Sequence, residues 1–451
     1  MLYRKAQKEI KNWLSSTSKE ALLVTGARQV GKTYLILETL KESKLEYIYF
    51  DLVNSSELTK TLSNYLDNVD MFIETLFLYN GFVPKEGSII FLDEIQELKE
   101  IVTLIKYLVL NTKYKFIFSG SLLGVTLNSV KSAPVGYLKT ITMYPLDLEE
   151  FLIANKIDQS VLTKLEDYFL NPRQLPEVIH NTLLNLFYHY LIVGGMPRVV
   201  DIYVSTKGLN ETFSTQENII EEYKRDFTKY QKEEKLKLIN IFDSIPSELN
   251  EKNRRFNINS LGTNSSYRRY EDSFNWLIDA GVAIPTYNIK EIKYPLKASE
   301  KRNLFKLFLN DTGLLSSMYG KDTIFTILER KENRNLGALF ENFVAMELKS
   351  KNLPLYYFNN KKHGEIDFVT TLGDKIIPIE VKSGKDYKNH FALNYFLSEK
   401  SFDKAFVLNT SNISVVENIY YYPIYMVMFI KPKNLPEDIE VDLSSLKSTK
   451  W

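Results

Sequence analysis

Short apolar runs alternate with amphipathic stretches from residue 20 to 120. Residues 21–25, 47–50, 88–92 and 116–119 read as strands, and the segments between them carry helical periodicity. Such alternation predicts a parallel sheet with helices on both faces. Ahead of it, Leu2, Ala6, Ile10 and Trp13-Leu14 fall on one face of an amphipathic helix over residues 1–16. Residues 148–204 are helix-rich, interrupted by Gly194-Gly195-Met196-Pro197, which must turn or break. The polar, Ser/Thr-rich stretch 204–218 reads as a junction and 216–241 as a single charged helix. Residues 257–261 and 267–280 read as two helices around a turn at 263–265, with Gly281 ending the second. Strands are expected near 305–309, 355–358, 364–370, 375–382 and 404–408, with a helix at 336–350 ahead of most of them.

Composition narrows the class. A chain of 451 residues exceeds what one core can organise, and its length suggests about three domains. It has 44% apolar and 25% charged residues, as ordinary globular proteins do. A net charge of +1 makes any basic surface a local matter. The absence of cysteine excludes disulfides, thiolate chemistry and Cys-based zinc sites. No stretch approaches the ~20 apolar residues that span a bilayer, and the first residues lack a signal-peptide pattern. The expectation is a cytoplasmic protein with no membrane partner.

Gly26-Ala27-Arg28-Gln29-Val30-Gly31-Lys32-Thr33 fits G-x-x-x-x-G-K-[ST] without mismatch, between a strand and the helical run begun by Tyr34. In that context backbone N–H groups curl around phosphate oxygens, and the helix N-terminus adds partial positive charge. Residues 26–34 are therefore expected to bind ATP, with Lys32 on the terminal phosphates and Thr33 on the accompanying Mg²⁺. The run 88–92 ends in Asp93-Glu94: Asp93 is expected to hold the magnesium and Glu94 to polarise the attacking water. Ser119, ending the next strand, reads either as a sensor of the γ-phosphate or as part of a Ser/Gly turn. Arg28, Arg173, Arg198 and Arg225 are the candidates for stabilising transition-state charge.

A second group of acids lies near the C-terminus. Gly337, Glu341, Val344 and Leu348 form one stripe of a helix, which places the Glu341 carboxylate on a largely apolar face. A buried lone carboxylate must be protonated, paired or bound to a metal. Glu365 and Asp367 share a strand face, as do Glu380 and Lys382. Carboxylates converging from adjacent strands suit Mg²⁺, and a lysine beside them orients water or offsets phosphate charge. The other reading is a structural ion-pair cluster. Residues 251–302 carry ten Lys/Arg against six Asp/Glu in a pattern resembling a small winged-helix unit, with Arg254-Arg255 and Tyr267-Arg268-Arg269 at the helix starts. That arrangement suits DNA contact and equally suits contact with protein.

GARQVGKT (26–33), FLDEIQ (91–96), SGS (119–121), YPLDLEEFL (144–152) and GGMP (194–197) together resemble uncharacterised prokaryotic ATPases of the AAA+ superfamily that carry a C-terminal domain of unknown function. FLNDTGLL (308–315), GALFENFVAMEL (337–348), GEIDF (364–368) and IEVKSG (379–384) resemble that C-terminal domain. The resemblance implies an α/β multidomain chain. Its expected parts are a P-loop parallel sheet with helices on both faces (1–150), a helical lid (151–215), a winged-helix-like middle (216–302) and a PD-(D/E)xK nuclease-like α/β domain (303–451). Glu341, Asp367, Glu380 and Lys382 match the nuclease pattern. Asp367 and Glu380 would be the principal metal ligands, Glu341 a supporting one, and Lys382 would stand at the nucleophile. Many relatives have Gly-Arg before the YPL segment, where this chain has Gly136-Tyr137, and Tyr137 cannot replace that charge. The expected function is an ATPase whose cycle controls a DNA-directed nuclease module. The alternative is an ATP-dependent switch or assembly factor whose nuclease-like domain only binds. A small-molecule kinase is a third reading, less suited to Glu94 and the long C-terminal half. The partners expected are ATP, DNA, and a protein or a second copy of the chain.

Overall fold

The computed structural model describes residues 1–121, 136–227, 232–262, 265–330, 334–384, 386–399, 402–433 and 435. Ala21–Thr25 (β1), Tyr47–Asp51 (β2), Ile89–Asp93 (β3), Lys115–Gly120 (β4) and Leu138–Thr142 (β5) form a parallel sheet ordered β2-β3-β4-β1-β5. Successive side chains of a strand point to opposite faces. Leu22, Val24, Phe91 and Ile117 therefore pack with Ile10 and Trp13 of helix Lys5–Ser15 and with Leu35, Ile36 and Leu40 of helix Lys32–Ser43. Leu23, Ile90, Leu92, Phe116 and Phe118 pack on the opposite face with helices Ser56–Ser63, Val69–Asn80 and Ile101–Asn111. The expected doubly covered parallel sheet is present. Its fifth strand was not legible in the apolar pattern, because β5 is a half-exposed edge in which only Ile141 is buried.

Helices Leu148–Ala154, Gln159–Leu170, Glu177–Val193 and Pro197–Thr206 follow, broken at 194–196 as the glycines require. A Cβ on Gly194 would fall 2.2 Å from Asp311 Oδ1, and Asp311 Oδ2 accepts the Gly195 N–H at 2.6 Å. The GGMP and NDTG stretches are thus the two sides of one close backbone contact. The expected junction at 204–218 is instead largely helix. Phe213, Gln216, Ile220 and Tyr223 recur at helical spacing and are buried, so they draw the segment into helix Leu209–Phe227. Of the helix expected over 216–241, residues 216–227 lie in helix Leu209–Phe227 and 232–241 in helix Lys232–Asn250, and 228–231 lie outside the described residues. The expected first helix of the middle unit is one 3₁₀ turn, Ile258–Leu261, and the second is Tyr267–Asp279. Thr263 and Asn264 of the expected turn lie outside the described residues.

Ala283–Ile289 (β6), Glu300–Leu309 (β7), Tyr356–Asn360 (β8), Gly364–Leu372 (β9), Lys375–Val381 (β10), Ala405–Asn409 (β11), Ser414–Val416 (β12) and Ile419–Pro423 (β13) form one mixed sheet, ordered β12-β13-β11-β10-β9-β8-β6-β7. The boundary expected at 302/303 therefore falls inside β7. The β6–β7 hairpin pairs in parallel with β8 through Tyr287↔Tyr356 and Ile289↔Phe358. Burial of Ile289, Phe305 and Leu307 gives the hairpin its place in the larger sheet. Helix Arg334–Ser350 packs against β6, β7 and β10. No helix among the described residues is long and apolar enough to cross a membrane.

Candidate active site

The loop 26–31 leaves the buried strand β1 and opens helix Lys32–Ser43, with Gly31 at its N-cap. Gly26 has φ +140°, and a Cβ there would lie 2.1 Å from Met143 O at the end of β5, so only glycine lets the two strand ends meet. Lys32 Nζ donates to Gly26 O at 3.0 Å and Ala27 O at 2.9 Å. Burial pulls the Lys32 ammonium down to about 8, against the opposing charges of Glu94 and Asp93.

Asp93 ends β3 only 2% exposed. Its Oδ2 accepts Thr33 Oγ1–H at 2.6 Å and Tyr49 O–H at 3.4 Å; its Oδ1 accepts the Ser119 hydroxyl and the Glu94 N–H. Burial raises its pKa while the hydroxyls oppose the rise. Glu94 follows with φ 55°, a left-handed conformation that costs energy for a side-chain-bearing residue. That turn carries its carboxylate off the strand axis, where Oε2 accepts Gln96 Nε2–H at 2.5 Å and Ser121 Oγ–H at 3.4 Å. The FLDEIQ and SGS motifs therefore meet: Ser119 holds Asp93 and Ser121 holds Glu94. Thr33 and Asp93 together present the hard oxygens that a magnesium ion takes. Tyr34 is 56% exposed, turned outward from the helix.

The candidate arginines separate. Arg28 Nη1 pairs with Asp226 Oδ1 at 2.7 Å, on helix Leu209–Phe227. The same helix holds Gln29 through Glu222, and Tyr223 O–H donates to Arg28 O at 3.3 Å. Gly281 backs onto the loop from the other side, where a Cβ would be 3.1 Å from Ala27 N. Arg173 is paired with Asp167 at the surface. Arg198 is exposed at the start of helix Pro197–Thr206, whose Pro197 ring lies 3.6 Å from the Cβ position of Gly31. Arg225 is exposed on helix Leu209–Phe227. The Tyr137 ring lies under Lys106 Nζ, 5.5 Å from its centroid. One residue had no sequence signal: Arg4, 7% exposed, whose guanidinium reaches Val30 O at 2.9 Å.

The C-terminal acids assemble differently from the expectation. Asp367 and Glu380 do come together, close enough for the Asp367 charge to act on Glu380; Asp367 Oδ2 accepts Val381 N–H at 2.8 Å, and Lys382 Nζ stands 3.0 Å from Glu380. Glu341 is held elsewhere, by Arg254 at 2.5 Å and by Lys306 at 3.1 Å. Lys306, fully buried on β7, also pairs with Glu365 at 2.7 Å and stands 3.9 Å from Asp367. Glu341 and Asp367 of the expected metal set thus belong to an ion-pair network with the Lys306 ammonium in its midst. Among the described residues no three His, Cys, Asp or Glu side chains stand as a metal-holding group. Burial and the neighbouring Asp367 push Glu380 well up. Burial also acts against the Asp367 charge, but Lys306 and Lys382 hold that carboxyl below its usual range. Lys306 was not singled out in the sequence, where a lysine between Phe305 and Leu307 reads as a solvated strand position.

The AAA domain model matches residues 18–152, a domain of unknown function (DUF8612) matches 184–324, and a second domain of unknown function (DUF4143) matches 336–427. Comparison with curated proteins finds no match. Among solved structures, the Walker-type ATPase of Pyrococcus abyssi is similar at 15% identity, covering 71% of this chain and 96% of that one, with a TM-score of 0.44. The ORC1 protein of Aeropyrum pernix, in complex with DNA, is similar at 12% identity over 72% and 94%, with a TM-score of 0.31. A signal transduction ATPase with numerous domains and a tetratricopeptide repeat sensor, from Pyrococcus horikoshii, gives 12% identity over 78% and 49%, with a TM-score of 0.27. The AAA match spans the phosphate loop and the ends of β3 and β4.

Proposed function

We propose that this chain is an ATP-driven switch whose C-terminal nuclease-like domain grips a partner without cutting it. ATP binds at residues 26–34. Lys32 meets the terminal phosphates, Thr33 and Asp93 hold magnesium, and Glu94, aimed by Gln96 and Ser121, polarises the attacking water. Magnesium bound there neutralises charge along the phosphates. Nucleotide occupancy then acts on helix Leu209–Phe227, which already holds Arg28 and Gln29, and through it on the mixed sheet. The reading suits a cytoplasmic protein acting on DNA through the basic middle segment, in contact with a protein partner or a second copy.

The observation that carries the non-cutting half is Lys306, whose ammonium stands among Glu341, Glu365 and Asp367. A fixed cation there discharges the acids that a divalent ion would need. The expected result is ATP hydrolysis with no degradation of DNA or RNA in Mg²⁺ or Mn²⁺, with or without ATP. The contact of Asp367 with Glu380 and Lys382 favours the second reading, a metal-dependent nuclease. Cleavage that disappears in Asp367→Ala but persists in Lys32→Ala would establish that reading instead.

A further inference from the structure

We infer that Arg4 is the positioning residue of the phosphate loop and ties it to the C-terminal helix Arg334–Ser350. Arg4 lies far from the loop in sequence, yet its side chain reaches both the loop and the segment that follows β5. Nη1 donates to Val30 O at 2.9 Å, Nη2 donates to Tyr144 O at 2.5 Å, and Nε faces Glu150 Oε2 at 3.2 Å. In a planar trans peptide the carbonyl of one residue and the N–H of the next point in opposite directions. Holding Val30 O on one side therefore sets the direction of the Gly31 N–H on the other. That N–H belongs to the loop's phosphate-binding set. The guanidinium also runs close beneath the loop, 4.0 Å from the Cβ position of Gly31.

The far end of the arrangement leads out of the AAA domain. Glu150 belongs to helix Leu148–Ala154, where its backbone N–H donates to Asp147 and its carboxylate accepts the Lys5 N–H at 2.6 Å. The first N–H of that helix, Leu148 N, donates to Glu347 Oε1 at 2.7 Å. Glu347 is 1% exposed and lies on helix Arg334–Ser350. Six residues earlier, about 9 Å along the same axis, Glu341 enters the Arg254–Lys306 cluster. A rigid helix thus joins the charge cluster to the helix that Arg4 holds against the loop. A guanidinium fork can serve two carbonyls and a carboxylate in one fixed plane, whereas an ammonium cannot.

The test is a double-mutant cycle on the full chain, reading KM and kcat for ATP, fluorescent-nucleotide affinity and Tm together. Arg4→Lys keeps the charge and loses the fork. It is expected to weaken nucleotide binding about tenfold, the size of one lost charge-assisted hydrogen bond, with kcat and Tm changing little. Glu347→Ala, remote from the nucleotide, is expected to weaken binding several-fold in the wild-type background and much less in Arg4→Lys. A drop in Tm with unchanged nucleotide affinity in Arg4→Lys would reduce Arg4 to a packing residue and overturn the inference. Additive effects in the cycle would break the link to the C-terminal helix. The inference rests on nucleotide binding at residues 26–33, which Lys32→Ala checks separately: if that variant bound ATP normally, the fault would lie with the site and not with Arg4.

Discussion

Two carboxylate pairs sit on buried strands of this protein, and their surroundings treat charge in opposite ways. Asp93 and Glu94 are held by neutral donors, the hydroxyls of Thr33, Tyr49, Ser119 and Ser121 and the amide of Gln96. Such donors orient a carboxylate and leave its charge for a cation to use. Asp367 and Glu380 stand beside three fixed cations, Arg254, Lys306 and Lys382, which also hold Glu341 and Glu365. There the carboxylates stand in ion pairs inside the fold. Acids at the right spacing are common to both sites. What separates a cation site from an ion-pair core is which donors the other elements bring.

The hardest test of this contrast is Lys306→Ala. Breaking a buried ion cluster by removing one partner leaves uncompensated charge and costs about 3–5 kcal/mol. Denaturant unfolding is expected to show that loss. Added Mn²⁺ is expected to recover part of the stability in the variant and none in the wild type, since only the variant leaves its carboxylates unpaired. A loss under about 1 kcal/mol, in the range of a surface pair, would mean that the ammonium does not organise the cluster. The next largest effect belongs to Lys32→Ala. Removing a charged phosphate contact is expected to lower ATP turnover by roughly 10²–10³-fold, while Glu380→Ala leaves turnover at the wild-type level. Equal losses in the two variants would erase the distinction between the sites.

Much of the ATP site was legible because its signals are local. The glycines, Lys32 and Thr33 are contiguous, and Asp93-Glu94 ends a run of apolar residues buried on both sides. The C-terminal site was only half legible. Periodicity placed Glu341 on an apolar helix stripe and put Asp367, Glu380 and Lys382 on strand faces. Lys306 arrives from β7 and Arg254 from the segment after helix Lys232–Asn250, and no spacing rule links them to residue 341. Arg4 escaped notice for the same reason, since its partners are 26 and 140 residues away. The place of the β6–β7 hairpin in the larger sheet was not legible, because local pattern identifies a hairpin without naming the strand it will pair with.

Asp226→Asn probes the contrast at the edge of the ATP site. It removes the carboxylate paired with Arg28, which is 46% exposed on its side chain, so the pair contributes at most about 1 kcal/mol. Loss of that negative charge beside the phosphate loop is expected to tighten nucleotide binding, by up to about fivefold, as measured by fluorescent-nucleotide titration at low salt. The effect is expected to shrink as salt is raised, since screening weakens both the pair and its repulsion of phosphate. Weaker binding in Asp226→Asn would instead mean that the helix holds the loop in its binding-ready shape.

The smallest effect is a pH profile that differs between the two lysines at the centres of these sites. Burial brings Lys32 down to about 8, whereas the carboxylates around Lys306 outweigh its burial and raise it. Phosphate attracts only the protonated form of Lys32 and stabilises it, so the lysine pKa rises when nucleotide binds. Binding above pH 8 must therefore take up a proton, and apparent affinity falls as pH rises, by at most about tenfold per unit. Nucleotide affinity is expected to be flat from pH 6 to about 7.5 and to decline above 8. Calorimetry in buffers of different ionisation enthalpy should show the matching proton uptake. An affinity that stays flat to pH 10 would mean that Lys32 keeps an ordinary ammonium pKa, and that the ATP site, like the cluster around Lys306, holds its cation fully charged.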